Sequence, residues 1–398
     1  MVNLLNIVAS HSCAPITLFS KKQQIACLPI FRRQPTNQLN MSVHFEKVRV
    51  KSVDKETADA VSVLFEIPES LKEKFSYIQG QHLTIRTFID EEEVRRSYSL
   101  CSSPLDDEWR VAIKKVKDGI FSTYANEQLK AGDELEIMPP MGHFNTSLFS
   151  ANKKNYTAIV AGSGITPVLS IIKTTLATEP GSSFILIFGN RNRASIMFRE
   201  ELEAIKNKYL DRFTLIHTLS REITDAEINH GRIDALKCAS LFNKVAPLNS
   251  DEFFICGPEQ MIFTVKDFLL KNAVPEEKIH IELFNTTGLQ RQNTKKEIAE
   301  NIGRTKSDVT VKLDGITFNF DVDFYGRAIL DEALKSGADL PYSCKGGVCC
   351  TCKALLLEGE VKMDVHYGLE QEEIEQGYIL ACQSHPVTEK VVIDFDIK

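Results

Sequence analysis

From Val43 the chain alternates apolar and polar positions, with Phe45, Val48 and Val50 following at strand spacing. Similar runs recur at Val61 to Ile67, Gln81 to Ile85, Arg96 to Cys101, Arg110 to Val116 and Glu134 to Met138, divided by Gly, Pro and Asp clusters. Short strands at such close intervals predict an antiparallel β-barrel over residues 41–150. The rhythm then changes. Apolar runs at Tyr156 to Ala161, Phe184 to Phe188, Phe213 to Leu219 and Glu252 to Cys256 read as buried strands. Helical patterns at Pro167 to Leu176, Ile196 to Leu210 and Pro258 to Asn272 fall between or after them. Strand and helix in alternation over residues 151–285 predict a parallel sheet with helices on both faces.

Residues 286–307 are polar and aperiodic, as a linker would be. From Asp308 to Lys398 a third pattern begins with a hairpin, Thr310 to Leu313 and Ile316 to Phe320, turning at Asp314-Gly315. A helix near Ala328 to Lys335, a cysteine-rich loop and late strands follow. A chain of 398 residues divided in this way is a multidomain protein.

Composition changes this picture in three places. The net charge of −7 argues against nucleic acid as a partner. No apolar run approaches membrane-spanning length, so no membrane partner is expected and a cytoplasmic location is. Residues 1–40 hold Lys21, Lys22, Arg32 and Arg33 but no acid, and are expected to be a disordered leader or an over-called start ahead of Met41. Residues 308–398, by contrast, carry 17 acidic and 8 basic residues.

The most specific chemistry lies in S-C-K-G-G-V-C-C-T-C. Cys344, Cys349 and Cys352 stand in a C-x₄-C-x₂-C spacing, and Cys382 follows in A-C-Q-S. That is the plant-type [2Fe–2S] pattern, in which four thiolates hold two irons. Gly346 and Gly347 allow the loop to fold around a cluster with its amides turned to sulfur. Structural zinc usually takes paired C-x₂₋₄-C knuckles, whereas one arm here is a lone cysteine. Disulfides fit poorly in a chain without a convincing secretion signal. Cys350 is off the ligand spacing and reads as a non-ligand.

An iron–sulfur centre needs an electron source. Arg96-Ser97-Tyr98-Ser99 on a strand, and Gly119-Ile120-Phe121-Ser122 at a helix start, offer what a dinucleotide flavin requires: a cation and bare amides for pyrophosphate, an aromatic face, and a hydroxyl. Gly162-Ser163-Gly164-Ile165-Thr166-Pro167 turns a buried strand into a helix, a phosphate-cradling arrangement with Pro167 in place of the third glycine of G-x-G-x-x-G. Cys256-Gly257-Pro258 ends another strand at the same sheet edge. Ser220-Arg221 and Arg191 close two further strands with hydroxyl and basic groups, which favours the 2′-phosphate of NADPH over NADH. His143, His280 and His366 lack metal-ligand spacing, and Cys101, Cys238 and Cys256 default to buried apolar thiols.

These residues together resemble a family. R-S-Y-S-L, G-I-F-S, P-P-M-G-H-F, A-G-S-G-I-T-P, F-G-N-R, L-S-R-E, H-G-R-I-D, F-I-C-G-P, H-I-E-L-F-N, C-K-G-G-V-C-C-T-C and G-Y-I-L-A-C-Q run in the order of the ferredoxin–NADP⁺ reductase superfamily with a C-terminal plant-type ferredoxin. Within that superfamily the chain is similar to the reductase subunits serving phenylacetyl-CoA epoxidation. It implies a Greek-key FAD barrel, an α/β nucleotide-binding domain and a β-grasp [2Fe–2S] domain. It places FAD on Arg96, Tyr98 and Ser99, with Gly119 and Ser122 near the pyrophosphate. Gly162, Gly164 and Thr166 would meet the nicotinamide nucleotide, Cys256 and Gly257 would lie near the nicotinamide, and Phe284 would approach the flavin. Ser220 and Arg221 resemble the 2′-phosphate contacts.

The activity so implied is electron transfer from NADPH through FAD and [2Fe–2S] to a di-iron oxygenase acting on an aromatic acyl-CoA, docked by the acidic C-terminal module. Other acceptors, such as a Rieske oxygenase, a desaturase or a hybrid-cluster protein, share the motifs. A non-catalytic iron–sulfur redox sensor is the alternative of another class; it would have no use for both R-x-Y-S and the glycine turn.

Overall fold

A computed structural model describes residues 44–284 and 306–397; the leader and nearly all of the expected linker lie outside them. The first sheet comprises β1 (Glu46–Thr57), β2 (Ala60–Glu66), β3 (His82–Ile89), β4 (Glu92–Ser99), β5 (Trp109–Lys114) and, after helix α1 (Ile120–Glu127), β6 (Glu134–Ile137). Its order is β4-β3-β6-β1-β2-β5, all antiparallel. The two edges meet at the Leu100–Val111 bridge, which closes the sheet into a barrel. Val61, Val63, Phe65, Leu83, Ile85, Val111 and Ile113 alternate inward to form the core, and Phe121 of α1 plugs one end.

The second sheet runs β11-β10-β7-β8-β9 and is parallel throughout. Its elements are β7 (Asn155–Ala161), α2 (Ile165–Thr178), β8 (Ser183–Asn190), α3 (Arg199–Lys208), β9 (Phe213–Leu219), α4 (Ala235–Lys244), β10 (Glu252–Cys256), α5 (Glu259–Lys271) and β11 (Ile279–Glu282). Tyr156, Ala158 and Val160 pack with α2 and α3 on one face. Ile159 and Ile187 meet Leu241 of α4 and Val265 of α5 on the other. Both faces are covered, as the continuous apolar runs required.

The third unit contains β12 (Lys306–Leu313), β13 (Ile316–Asp323), α6 (Ile329–Lys335), β14 (Lys353–Glu358), β15 (Val361–Met363), α7 (Gln371–Glu375), β16 (Tyr378–Leu380), β17 (Ser384–Pro386) and β18 (Lys390–Asp394). A five-stranded sheet, β13-β12-β18-β14-β16, grasps α6 through Val309, Val311, Ile393, Ile329 and Leu330. Among the described residues no helix is long and apolar enough to cross a membrane.

The β3–β4 hairpin, the start of α3, and helix α4 and strand β11, which were not expected, are among the differences from the sequence reading. β3 and β4 form an eight-pair hairpin, His82–Ser99 to Ile89–Glu92, and so extend the expected strands Gln81 to Ile85 and Arg96 to Cys101 toward each other. Asp90 and Glu91 both take positive φ, 51° and 67°, as a two-residue hairpin turn requires. α3 starts at Arg199, not Ile196, because Phe198 adopts a left-handed conformation at φ 55° with its ring buried. β11, which lacks a long apolar run, forms by adding to the sheet edge beside β10.

Loop 149–155 is anchored by Glu179, which is fully buried at the end of α2. Its carboxylate accepts from Tyr156 Oη (2.8 Å), Ser182 Oγ (2.7 Å), Asn152 Nδ2 (2.6 Å) and the Phe149 amide (3.1 Å). Glu179→Ala would leave these donors without an acceptor, and about 3 kcal/mol of stability should be lost. Urea unfolding monitored by circular dichroism checks this.

Candidate functional site

The cysteine loop leaves the core between α6 and β14, and it is shaped by amides aimed at sulfur. Cys344 and Cys349 have sulfurs 3.1 Å apart, and Cys352 and Cys382 are in hydrogen-bond contact. The amides of Gly346 (3.3 Å), Val348 and Cys349 point to the Cys344 sulfur. Gly347 N–H and Gln383 Nε2 donate to Cys382. The Cys349 thiol's hydrogen bond, joined by the three amides, lowers the Cys344 thiol against the effect of burial. Only glycine serves at position 347: φ is +70°, and a Cβ would sit 2.5 Å from Val365 Cγ2 and 2.9 Å from its carbonyl oxygen.

The eight described cysteines are free, and no three metal-ligating side chains converge on one point among the described residues. Two pairs of thiols, each supplied with amide donors, fit a binuclear centre with two thiolates per iron better than a single tetrahedral ion. Cys344, Cys349, Cys352 and Cys382 could therefore hold [2Fe–2S]. Cys350 belongs to neither pair, and burial pushes its thiol up to about 11.

Beside this loop lies a cavity of about 460 Å³. Arg96, Ser97 and Ser99 of β4 form one wall, Glu282 to Phe284 a second, and Ser343 to Lys345 with Cys349 the third. Ser99 Oγ donates to Glu282 Oε2 at 3.0 Å. Burial pushes the Glu282 carboxyl up to about 8, and the Ser99 hydrogen bond only partly opposes it. Tyr98 instead stacks obliquely on Phe121, centroids 5.5 Å apart. Ser122 Oγ accepts from Val116 N–H and donates to the Gly119 carbonyl, both at 3.2 Å, and so closes the turn that starts α1. Tyr98, Gly119 and Ser122 line neither of the two cavities described here.

The second cavity, about 890 Å³, opens across the C-terminal ends of β7, β8, β9 and β10. Gly162, Ser220, Arg221 and Gly257 line it, with Lys114, Arg191 and Arg232. Phe284 lines both cavities. Gly164, Thr166 and Cys256 lie behind this wall. A Cβ on Gly164 would fall 2.3 Å from the Cys256 carbonyl oxygen, so that glycine lets the helix start cross β10. Thr166 Oγ1 donates to the Ser163 carbonyl at 3.0 Å. Cys256 is fully buried, and desolvation raises its thiol well above the ordinary range.

Known proteins match this chain in three consecutive stretches. Residues 47–146 match the oxidoreductase FAD-binding domain, 158–267 the oxidoreductase NAD-binding domain, and 311–387 the 2Fe-2S iron-sulfur cluster binding domain. The chain is 44% identical over 355 residues to a subunit of the 1,2-phenylacetyl-CoA epoxidase of Escherichia coli, covering 89% of this chain and 98% of that protein. The chain belongs to the ferredoxin–NADP⁺ reductase superfamily. It is also 36% identical to the ferredoxin reductase component of 3-ketosteroid-9-alpha-monooxygenase from Rhodococcus rhodochrous, over 87% of this chain and 95% of the relative. Phthalate dioxygenase reductase has the same fold, with a TM-score of 0.54 at 22% identity over 88% of this chain and 98% of that one. As a member of the superfamily the protein is an oxidoreductase with FAD-binding, NAD-binding and [2Fe–2S] domains.

Within this reductase fold the sequence reading gave no role to Glu282, Lys114 or Arg232. An acid at the end of a strand with Ile281, Leu283 and Phe284 around it was the available signal for Glu282. The other two are single basic residues that only folding brings to the cavity.

The raised Glu282 carboxyl sets a pH dependence. It keeps its proton in the folded protein until about pH 8, while an unfolded glutamate loses it near 4.5. The folded state thus holds the extra proton between these values, and stability falls as pH rises through that window. Glu282→Gln should remove this slope, so its melting temperature should gain on the wild type from pH 5 to pH 8. A parallel pair of melting curves across that range would refute it.

Proposed function

We propose that this chain is the NADPH-oxidising reductase component of an oxygenase system, delivering electrons through FAD and [2Fe–2S] to a di-iron phenylacetyl-CoA epoxidase. One observation supports the internal route: Ser99, Phe284, Cys344 and Cys349 line a single cavity, so a flavin and a cluster held by them would be neighbours. When bound, the nicotinamide, flavin and cluster would supply the redox chemistry, which takes electrons in pairs and releases them singly.

The chain's own residues bind and orient. Arg96 is exposed beside the first cavity and suits a flavin phosphate or pyrimidine edge, while Ser99 fixes the Glu282 carboxyl. Glu282 holds a proton on a carboxyl partly withdrawn from water at the cavity wall. Phe284 stands where the two cavities meet and is 36% exposed, a ring suited to covering one aromatic ligand until another arrives. Amides around Cys344 and Cys382 stabilise thiolate charge.

NADPH over NADH rests on the cations of the second cavity, Arg191, Arg221, Arg232 and Lys114, with the Ser220 hydroxyl beside them. Arg191 is also tied to Asp59 at 2.6 Å, which leaves Arg221 and Arg232 as the better phosphate partners. The phenylacetyl-CoA assignment rests on the 44% identity to the Escherichia coli protein over nearly its full length. The 36% likeness to a steroid monooxygenase component supports a second reading, in which the acceptor is another oxygenase. We place the protein in the cytoplasm, where reducing conditions keep its thiols available.

Anaerobic titration with NADPH, followed by assays against purified acceptors, tests the assignment. NADPH should bleach flavin and cluster bands together, and the epoxidase should be the acceptor that reoxidises them; an unreactive epoxidase would redirect it to another oxygenase.

Two variants sharpen it. Ser220→Ala with Arg221→Ala should raise KM for NADPH about tenfold or more and leave that for NADH unchanged. Neutralising Glu360, Glu372 and Glu375, exposed acids of the third unit, should slow delivery to the protein acceptor while ferricyanide reduction holds. Equal loss in both assays would dismiss acidic docking.

A further inference from the structure

The β3–β4 hairpin carries more than flavin residues. Its register sets His82 opposite Ser99, Thr84 opposite Ser97 and Arg86 opposite Arg95, so the six side chains share one face. Arg95, at 5% exposure, reaches out of its own domain. Nη2 donates to Asp339 Oδ1 at 2.7 Å and Nη1 to the Leu340 carbonyl at 3.1 Å, while Nε holds Glu93 at 2.7 Å. The guanidinium also lies 4.2 Å from the centre of the Tyr342 ring. Next to it Ser97 Oγ donates to Ser343 Oγ at 2.8 Å, and Thr84 Oγ1 meets Thr351 Oγ1 at 3.2 Å.

The pattern of these contacts is specific. Ser343 and Thr351 immediately precede Cys344 and Cys352, so the hairpin grips the cysteine loop next to one thiol of each pair. Glu93 on its own hairpin could have neutralised Arg95, yet two of the guanidinium's donors cross to the other domain. A planar fork can engage a carboxylate, a carbonyl and an aromatic face at once, which a lysine cannot. Arg86, 3.8 Å from Asp339, adds a second cation to the same carboxylate.

We propose that Arg95, with Ser97 and Thr84, is a positioning residue for internal electron transfer: it fixes the iron–sulfur loop at the wall of the flavin cavity and so sets the separation between the two redox groups. The assignment rests on the reductase reading above. Arg95, Arg96, Ser97 and Ser99 all line the cavity, and Arg95 and Ser97 among them also hold the loop that carries the acceptor of its electrons.

Asp339 gives the cleanest test, since it does not line the flavin cavity. In full-length holoprotein, Asp339→Arg sets a cation against Arg95 and Arg86, and Asp339→Asn removes only the charge. NADPH-driven ferricyanide reduction, which needs the flavin alone, should stay at the wild-type rate in both. Cytochrome c reduction through the cluster should fall about tenfold or more in Asp339→Arg and less in Asp339→Asn. Hydrogen exchange of the amides of Leu340, Tyr342, Ser343 and Cys344 should quicken in the same order, with the cluster's electron paramagnetic resonance signal unchanged. A cytochrome c rate within about twofold of wild type in Asp339→Arg, the effect of an ordinary surface pair, would overturn the proposal. So would unchanged exchange, or loss of ferricyanide reduction together with cytochrome c reduction. Wild-type protein unable to reduce cytochrome c would instead sink the reductase reading itself, and this inference with it.

Discussion

The contact on which the molecule depends is the grip of the barrel on the segment that enters Cys344. Single electrons cross protein only over short separations, so a flavin site and a cluster site are useful together only if their walls coincide. Strand β4, the end of β11 and the cysteine loop each contribute one side of one cavity, so a flavin held there would lie against the cysteine loop. Each comes from a different sheet, and none could build the site alone.

Such a junction has to bury polar groups, and it does so in matched sets. Arg95 has Glu93, Asp339 and a carbonyl; Ser97 has Ser343; Ser99 has Glu282. The barrel is fixed to the nucleotide domain in the same way, by Arg110 with Glu201 at 2.9 Å, Lys173 with Asp106 at 2.6 Å and Ser103 with Thr174 at 2.9 Å. Paired polar seams specify one relative placement, whereas apolar faces of equal area would tolerate sliding. Inside each domain, apolar alternation sets the fold; between domains, hydrogen-bond complementarity sets the geometry.

Charge is divided by task across the chain. Cations gather at the mouth of the nucleotide cavity, where a phosphate-bearing ligand would need them. Backbone amides, not cations, face the thiols, so the loop can carry negative sulfur without a buried counter-ion. Acids dominate the outside of the third unit. Glu282 is the exception, a carboxyl kept neutral to about pH 8 by desolvation.

Much of this was legible in the residues because the relevant interactions are local. C-x₄-C-x₂-C is a loop that folds on itself, the glycine turn is a single strand-to-helix junction, and the Asp314-Gly315 hairpin is set by φ at two residues. The parallel sheet followed from apolar runs that only burial on both faces explains. The part of β3 and β4 between Ile85 and Arg96 was not legible because its acids lie on a strand whose pairing, not its composition, decides its conformation. Arg95 and Glu282 escaped for a stronger reason: their partners are 244 and 183 positions away along the chain. Sequence by itself determined which chemistries this protein carries, since ligand spacing and strand periodicity are properties of neighbours. Only the tertiary structure decided that Arg95, beside Arg96 at one cavity, also holds the cysteine loop, because what a side chain meets depends on which distant segment folds against its strand.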